Sequence, residues 1–313
     1  MLTRRNFLGT TALALGALAL PTGCSPTEKA KIKLPFRVSL NVSTIRTYNL
    51  PVDRQIEVCA EAGFDGIELW MPDIQEYMNR GGSLSELATK LNDSRLVLEN
   101  IIGFAQWAVD DESRREEGVA QMKREMEITA TLGGKYIAAP MMGVRQLDRD
   151  MMDEYALRFR RIIDAGKDTG VIPLLELWGH GALSKLADAV YMAIATEHPD
   201  ANILLDFYHL YRGGNSFDGL NQINVARMPV IHANDYPATP PHDQLRDSDR
   251  VYPGDGICPF DKIIPMLDKG GFRGALSVEL FNEEYCRDNT VEQVLATTLE
   301  KTREVITINR IEI

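Results

Sequence analysis

Eight short apolar runs, each followed by a longer stretch of polar and helical character, constrain this 313-residue chain more than any other feature. The runs cover residues 36–42, 66–70, 96–103, 136–141, 172–177, 203–206, 230–233 and 275–279. They are apolar almost throughout rather than alternating, which is the pattern of parallel strands covered on both faces. Between them, residues 52–62, 83–91, 112–132, 150–169, 182–196, 260–269 and 291–306 carry helical spacing, and several of these stretches end at Gly or just before Pro. Residues 217–227 have the faintest helical pattern of the set. Eight βα units under one composition regime predict an α/β fold, a single closed (β/α)8 TIM barrel over residues 35–313. A doubly wound open sheet would commonly bring a Gly-x-Gly-x-x-Gly turn after its first strand, and none is present there.

The chain is acidic, with 34 Lys and Arg against 45 Asp and Glu and a net charge of −11. Such a surface repels phosphate backbones, so no nucleic-acid partner is expected. Cysteine is sparse: Cys24, Cys59, Cys258 and Cys286 form no Cys-x-x-Cys pair, which argues against a disulfide framework. At the N-terminus, Thr3-Arg4-Arg5-Asn6-Phe7-Leu8-Gly9 precedes a modest apolar run at 10–20. This resembles a twin-arginine export signal, and the run is too short for a mature membrane span. Leu20-Pro21-Thr22-Gly23-Cys24 is similar to a lipoprotein processing site, although Pro21 stands where a small or aliphatic residue is usual. Residues 1–24 are therefore expected to be an export signal, with Cys24 as a lipid anchor and residues 25–34 as a polar tether. The twin-arginine machinery would be a partner, and the mature protein would be periplasmic or anchored on the extracytoplasmic side of the membrane.

The chemistry is expected at the carboxyl ends of the strands, where barrels of this kind gather functional groups. Four successive apolar runs deliver a polar group there. Ile172-Pro173-Leu174-Leu175 ends at Glu176, and Ile203-Leu204-Leu205 at Asp206, with His209 three residues on. Val230-Ile231 ends at His232, with Asp235 three residues on, and Leu276-Ser277-Val278 ends at Glu279. Each such group alone is an ordinary satisfied polar residue of a core or rim. Four at one end of adjacent strands converge, and a divalent cation is the natural way to hold three carboxylates and an imidazole together. Hard oxygen donors with one His suit Mn2+ or Mg2+, while Zn2+, Co2+ and Fe2+ also accept this set.

These residues carry a resemblance to the xylose-isomerase-like sugar isomerase and epimerase superfamily. The matching pieces are Ala62-Gly63-Phe64-Asp65-Gly66-Ile67-Glu68-Leu69, the Glu176 strand, Asp206-Phe207-Tyr208-His209, His232, the segment Asp249-Arg250-Val251-Tyr252-Pro253-Gly254-Asp255-Gly256, and Val278-Glu279. The resemblance covers essentially everything from Phe36 onward. It implies one divalent metal ion held by Glu176, Asp206, His232 and Glu279, with Glu176 and Glu279 doubling as acid/base groups on opposite sides of the substrate. It also implies that His209 and Arg250 bind substrate oxygens. The chemistry agrees: removing a proton beside a carbonyl creates an enediolate, whose charge a cation and Arg250 stabilise while a carboxylate takes the proton. Glu68 ends the second run, and is expected either on the substrate side of the cavity or in a structural salt bridge. The Pro-Gly-Asp-Gly piece reads as a tight turn that brings backbone close to the site.

The chain also departs from the pattern. Ketose epimerases of this superfamily carry a second Glu six residues after the first, and here that position is Ala182. His180, in the loop Trp178-Gly179-His180-Gly181, is the nearest polar residue and a candidate substrate contact. The Pro-rich stretch 235–249 is long enough for a lid or an oligomer contact, the latter making the chain a homo-oligomer; His242 within it is a lesser candidate ligand. DNA-repair endonucleases of the same superfamily use three metals and more histidines than the five present here. The expected function is therefore metal-dependent isomerisation or epimerisation of a small carbohydrate. A lyase or dehydratase eliminating β to the carbonyl of a keto-sugar would use the same residues. An exported sugar-binding lipoprotein without catalysis is the third reading.

Overall fold

The computed structural model describes residues 34–309. The export-signal pattern, Cys24 and the tether up to Lys33 lie outside the described residues. The strands are β1 Arg37–Asn41, β2 Gly66–Trp70, β3 Val97–Ile102, β4 Tyr136–Pro140, β5 Ile172–Glu176, β6 Asn202–Asp206, β7 Val230–His232 and β8 Ala275–Val278. They pair in parallel in sequence order, and β8 closes on β1, with Ser39 opposite Ser277 and Leu40 opposite Val278. The expected barrel is the observed one, and each expected strand agrees at both ends to within one residue.

Among the described residues, ten α-helices surround the barrel: α1 Val52–Ala62, α2 Met71–Asn79, α3 Leu84–Ser94, α4 Glu112–Thr131, α5 Met152–Gly166, α6 Leu186–Ala195, α7 Phe207–Arg212, α8 Phe260–Lys269, α9 Glu283–Arg287 and α10 Val291–Ile308. In α1, Val52, Ile56 and Cys59 form the buried stripe, and Gly63 closes the helix at φ 85° with its N–H on Ala60 O. The segment 217–227 is two 3-10 turns, Phe217–Gln222 and Val225–Arg227, instead of one helix. The side chains of Ser216 and Asn224 accept the N–H groups of Asp218 and Ala226, and such local bonds compete with a continuous helix.

Side chains alternate along each strand, so residues two apart share a face. Leu174, Leu204 and Val230 each precede Glu176, Asp206 or His232 by two positions. They form an apolar cluster of their own inside the barrel, with Tyr136 and Ile172 against it. The polar site therefore stands directly on an apolar plug.

The stretch after β7 is packed down rather than free. Tyr236 is fully buried and stacks on Tyr211 of α7 with centroids 4.2 Å apart and planes 5° from parallel. Leu245 is buried, and its carbonyl accepts from Arg212 Nε at 2.9 Å. His242 lies edge-on to Tyr211, with Nδ1 3.2 Å from Arg212 O. These anchors hold the two ends of the stretch, while residues 238–244 between them are largely exposed. His242 is directed toward α7 instead of the metal-ligand cluster.

Candidate metal and acid-base site

Asp206 is the last residue of β6 and the N-cap of α7. Its Oδ1 accepts from His209 N at 2.8 Å, which explains the Asp-x-x-His spacing as a cap. Its Oδ2 is left for the barrel interior, where Asn234 Nδ2 donates at 3.0 Å and Arg250 Nη1 at 3.1 Å. His232 presents Nδ1 to three carboxylates: Glu279 Oε2 at 3.1 Å, Asp206 Oδ2 at 3.4 Å and Glu176 Oε1 at 3.8 Å. Glu279 is further held by Asn41 Nδ2 at Oε1, 3.2 Å, and by Arg250 Nη1 at Oε2, 2.7 Å. Its own N–H donates to Asn234 Oδ1 at 2.9 Å. The four expected ligands are thus brought together, all buried, at the carboxyl end of β5 to β8.

Burial would raise Asp206 and Glu279, but Arg250 and the imidazoles outweigh it at Asp206, as His232 and Arg250 do at Glu279, and both carboxyls sit below the usual range. Glu176 lacks the guanidinium, and burial pushes it up to about 8. Burial would lower His232, but Glu279 and Glu68 hold its pKa well above the ordinary value. A divalent cation at Nδ1 would replace that proton.

The residues present fit such a cation. Ligand atoms of Asp206, His232 and Glu279 lie within 4.8 Å of one another. Glu176 Oε2 and His232 Nδ1 are buried without a hydrogen-bond partner, the state expected of donor atoms waiting for an ion. Three carboxylates and an imidazole match the preferences of hard or borderline divalent metals.

Glu68 is not on the substrate side. It is fully buried at the far nitrogen of His232, 3.2 Å from Nε2, and Oε2 accepts from Asn100 Nδ2 at 2.8 Å. It orients the imidazole from its Nε2 side, as a carboxylate commonly does for a metal-binding His. Arg250 lies over the Tyr208 ring at 4.3 Å and pairs through Nη2 with Asp247 Oδ1 at 2.8 Å. His209 Nε2 is 3.3 Å from the same Nη2, and burial lowers its pKa to about 4. His180 is exposed at the mouth, its ring 5.1 Å from that of His209 and 5.8 Å from Trp178. A cavity of about 320 Å3 reaches Glu176 past Met141, Arg145, Trp178 and His180.

Four functional neighbours escaped the sequence reading: Asn41, Asn100, Asn234 and Asp247. Period two was the available signal for Asn234, which follows His232 by two residues and so shares its inward face. The Pro-Gly-Asp-Gly turn does approach other groups closely, but its partner is Asp235: Oδ2 accepts from Gly254 N and Gly256 N at 2.9 Å, and Oδ1 from Cys258 N and Tyr236 N at 2.8 Å.

Comparison with known proteins matches residues 56–305 to the xylose isomerase-like TIM barrel family. The chain belongs to that family. Among its relatives, the inosose isomerase of Bacillus velezensis is 29% identical over 272 residues, covering 84% of this chain and 94% of its own. The 3-dehydro-D-guloside 4-epimerase of Escherichia coli is 27% identical over 236 residues, 70% of this chain and 83% of that one. The crystal structure of the IOLI protein, which has a zinc atom bound, shares the fold of this xylose isomerase-like barrel with a TM-score of 0.81. The two are 24% identical, over 88% of this chain and 99% of that one.

Proposed function

We propose that this barrel is a metal-dependent sugar isomerase or epimerase that moves a proton on the carbon beside a carbonyl. One observation carries the reading: carboxylates from β5 and from the end of β8 converge on the same imidazole nitrogen, His232 Nδ1, at 3.8 and 3.1 Å. Two acid-base groups flanking one position allow a proton to leave one face of a carbon and return to the other, or to an adjacent atom. Relatives acting as an inosose isomerase and a sugar 4-epimerase support the same reaction class.

Glu176, Asp206, His232 and Glu279 would hold the metal, which supplies Lewis-acid polarisation of the carbonyl when bound. Glu279 and Glu176 take and return the proton at a carboxylate oxygen. Arg250 keeps Glu279 Oε2 ionised at 2.7 Å. Its Nη groups are taken by Asp206, Glu279 and Asp247, so the donors left for a substrate oxygen are Arg250 Nε and His209 Nδ1, both without a partner in the fold. The apolar plug beneath the site and the burial of all four ligands keep bulk water from the reacting carbon. Among the described residues Arg145 is the one Lys or Arg lining the cavity at Glu176, which favours an unphosphorylated sugar. That agrees with an enzyme working outside the cytoplasm, which we propose on the twin-arginine pattern at Arg4-Arg5, with Cys24 as lipid anchor.

The test is proton–deuterium exchange followed by NMR. The protein is loaded with Mn2+, Mg2+ or Zn2+ and mixed in D2O with ketoses, aldoses and keto-glycosides. Metal-dependent exchange beside a carbonyl, abolished in Glu279→Gln, is the expected result. A metal-loaded protein that binds sugars yet exchanges none of them would refute catalysis and leave a binding protein. An unsaturated product would instead assign a lyase.

A further inference from the structure

The connection from β6 to β7 leaves the outer wall of the barrel incomplete. A barrel of this kind places a helix after each strand, but beyond the short α7 this connection forms only the two 3-10 turns, Phe217–Gln222 and Val225–Arg227. A groove of about 580 Å3 lies between those turns and α6. Val190, Ala193 and Ile194 line it from α6, Ile223 and Met228 from the other side, and Ile203 from β6.

Helix α6 borders this groove and is apolar on nearly every side. Its ten residues hold a single charged side chain, Asp188, which pairs with Arg149 at 2.9 Å. A helix apolar all round belongs in an interior. Leu186, Ala189 and Met192 do fill the core, yet Ile194 is 71% exposed and Tyr191 48%. These two lie three residues apart and form one ridge along the helix. The Tyr191 hydroxyl donates to Asp153 Oδ1 at 2.6 Å, which fixes the ring in place.

An apolar ridge beside an apolar groove is self-complementary. A twofold axis seats the ridge of each copy in the groove of the other and covers both at once. The charges agree with that occupant. The chain carries −11 overall, yet the groove is lined by one carboxylate, Glu197, and one guanidinium, Arg227, so two such faces do not repel. Both side chains are exposed, and neither has an ion-pair partner among the described residues. Glu197 follows Ile194 by three residues, so the ridge that enters the groove carries Glu197 toward Arg227 of the second copy. We infer that this face joins two copies of the chain, with Ile194 and Tyr191 of each entering the groove of the other. The groove lies toward the amino end of β6, whereas Asp206 ends that strand at the candidate metal site, so the mouth at Glu176 stays open in the dimer. The inference does not depend on the proposed carbonyl chemistry.

The test is the mass of the full-length chain in solution, followed by sedimentation velocity up to about 100 µM. A dimer that persists at about 10 µM is expected. Ile194→Glu is expected to weaken it at least about 100-fold, because a twofold interface feels every substitution twice. The exposed position leaves the fold intact, so far-UV circular dichroism should match wild type. Glu197→Arg and Arg227→Glu should each weaken the dimer about ten-fold, and the two together should restore it. A wild-type chain that stays monomeric at about 100 µM overturns the inference, whatever other molecule covers the groove. A dimer indifferent to Ile194→Glu also overturns it and places the contact elsewhere. A charge-swapped double variant as weak as either single one overturns the seating of Glu197 against Arg227.

Discussion

Replacing Asp235 with Ala removes the acceptor of four backbone N–H groups at once. Tyr236 and Cys258 are buried, whereas Gly254 is exposed and Gly256 half-buried, so two donors recover water and two do not. A hydrogen bond to a charged acceptor is worth about 1.5–3 kcal/mol, and a stranded buried donor costs about 1–3 kcal/mol. Counting the two buried donors in full and the two wetter ones as nearly neutral gives a loss of about 3–5 kcal/mol. Asp235→Asn is no remedy. Its amide oxygen serves only one pair of donors, and its NH2 then faces the N–H groups of the other pair, so about 2–3 kcal/mol is still lost. Function follows stability here, because Asp235 and Val251 exchange backbone bonds at 3.2 and 3.0 Å, and Val251 is the neighbour of Arg250. A guanidinium displaced by about 1 Å lowers turnover on the order of 100-fold. The assay is urea unfolding at pH 7, followed by fluorescence, beside deuterium exchange at saturating metal. An Asp235→Ala protein within about 0.5 kcal/mol of wild type, with unchanged exchange, would refute the view that this carboxylate clamps the turn, since ordinary surface replacements fall in that range.

Two further outcomes follow from the site. Asn234→Ala removes the bond to Asp206 Oδ2 and the acceptor of Glu279 N–H, so metal affinity is expected to fall about 10- to 100-fold, read by competition with a fluorescent chelator. For His209, burial sets the folded pKa to about 4, below the unfolded value of roughly 6.5. The unfolded chain then binds the proton first, so stability is whole above about pH 6.5 and falls as pH drops toward 4, by on the order of 2–3 kcal/mol. Unfolding midpoints across that window should flatten in His209→Gln, and an identical acid slope in both proteins would sink the assignment.

The barrel was legible because its strands are doubly covered and therefore nearly all apolar, a signal that depends on no single residue. The candidate ligands were legible for the complementary reason: Glu176, Asp206, His232 and Glu279 break apolar runs at the positions where a charged group is most costly. What the sequence concealed was mostly uncharged or backbone-mediated. Asn41, Asn100 and Asn234 carry no charge to mark them, yet each holds a candidate ligand or the carboxylate behind one, and Asp247 is one acid among several in its loop. Glu68 left two roles open in its run, a cavity position or a salt bridge, and only the closure of the sheet brings it to the Nε2 side of His232. Helices α2 and α7 begin directly at the ends of β2 and β6, without a linker to announce them. The clamp at Asp235 was hidden because its four partners are main-chain groups.

The apolar plug of Leu174, Leu204 and Val230 fills the interior beneath Glu176, Asp206 and His232. A metal held by the four candidate ligands would enter from the same side as the proposed substrate. A bound sugar would then be a stopper as well as a reactant, shielding the ion from chelators while it stays.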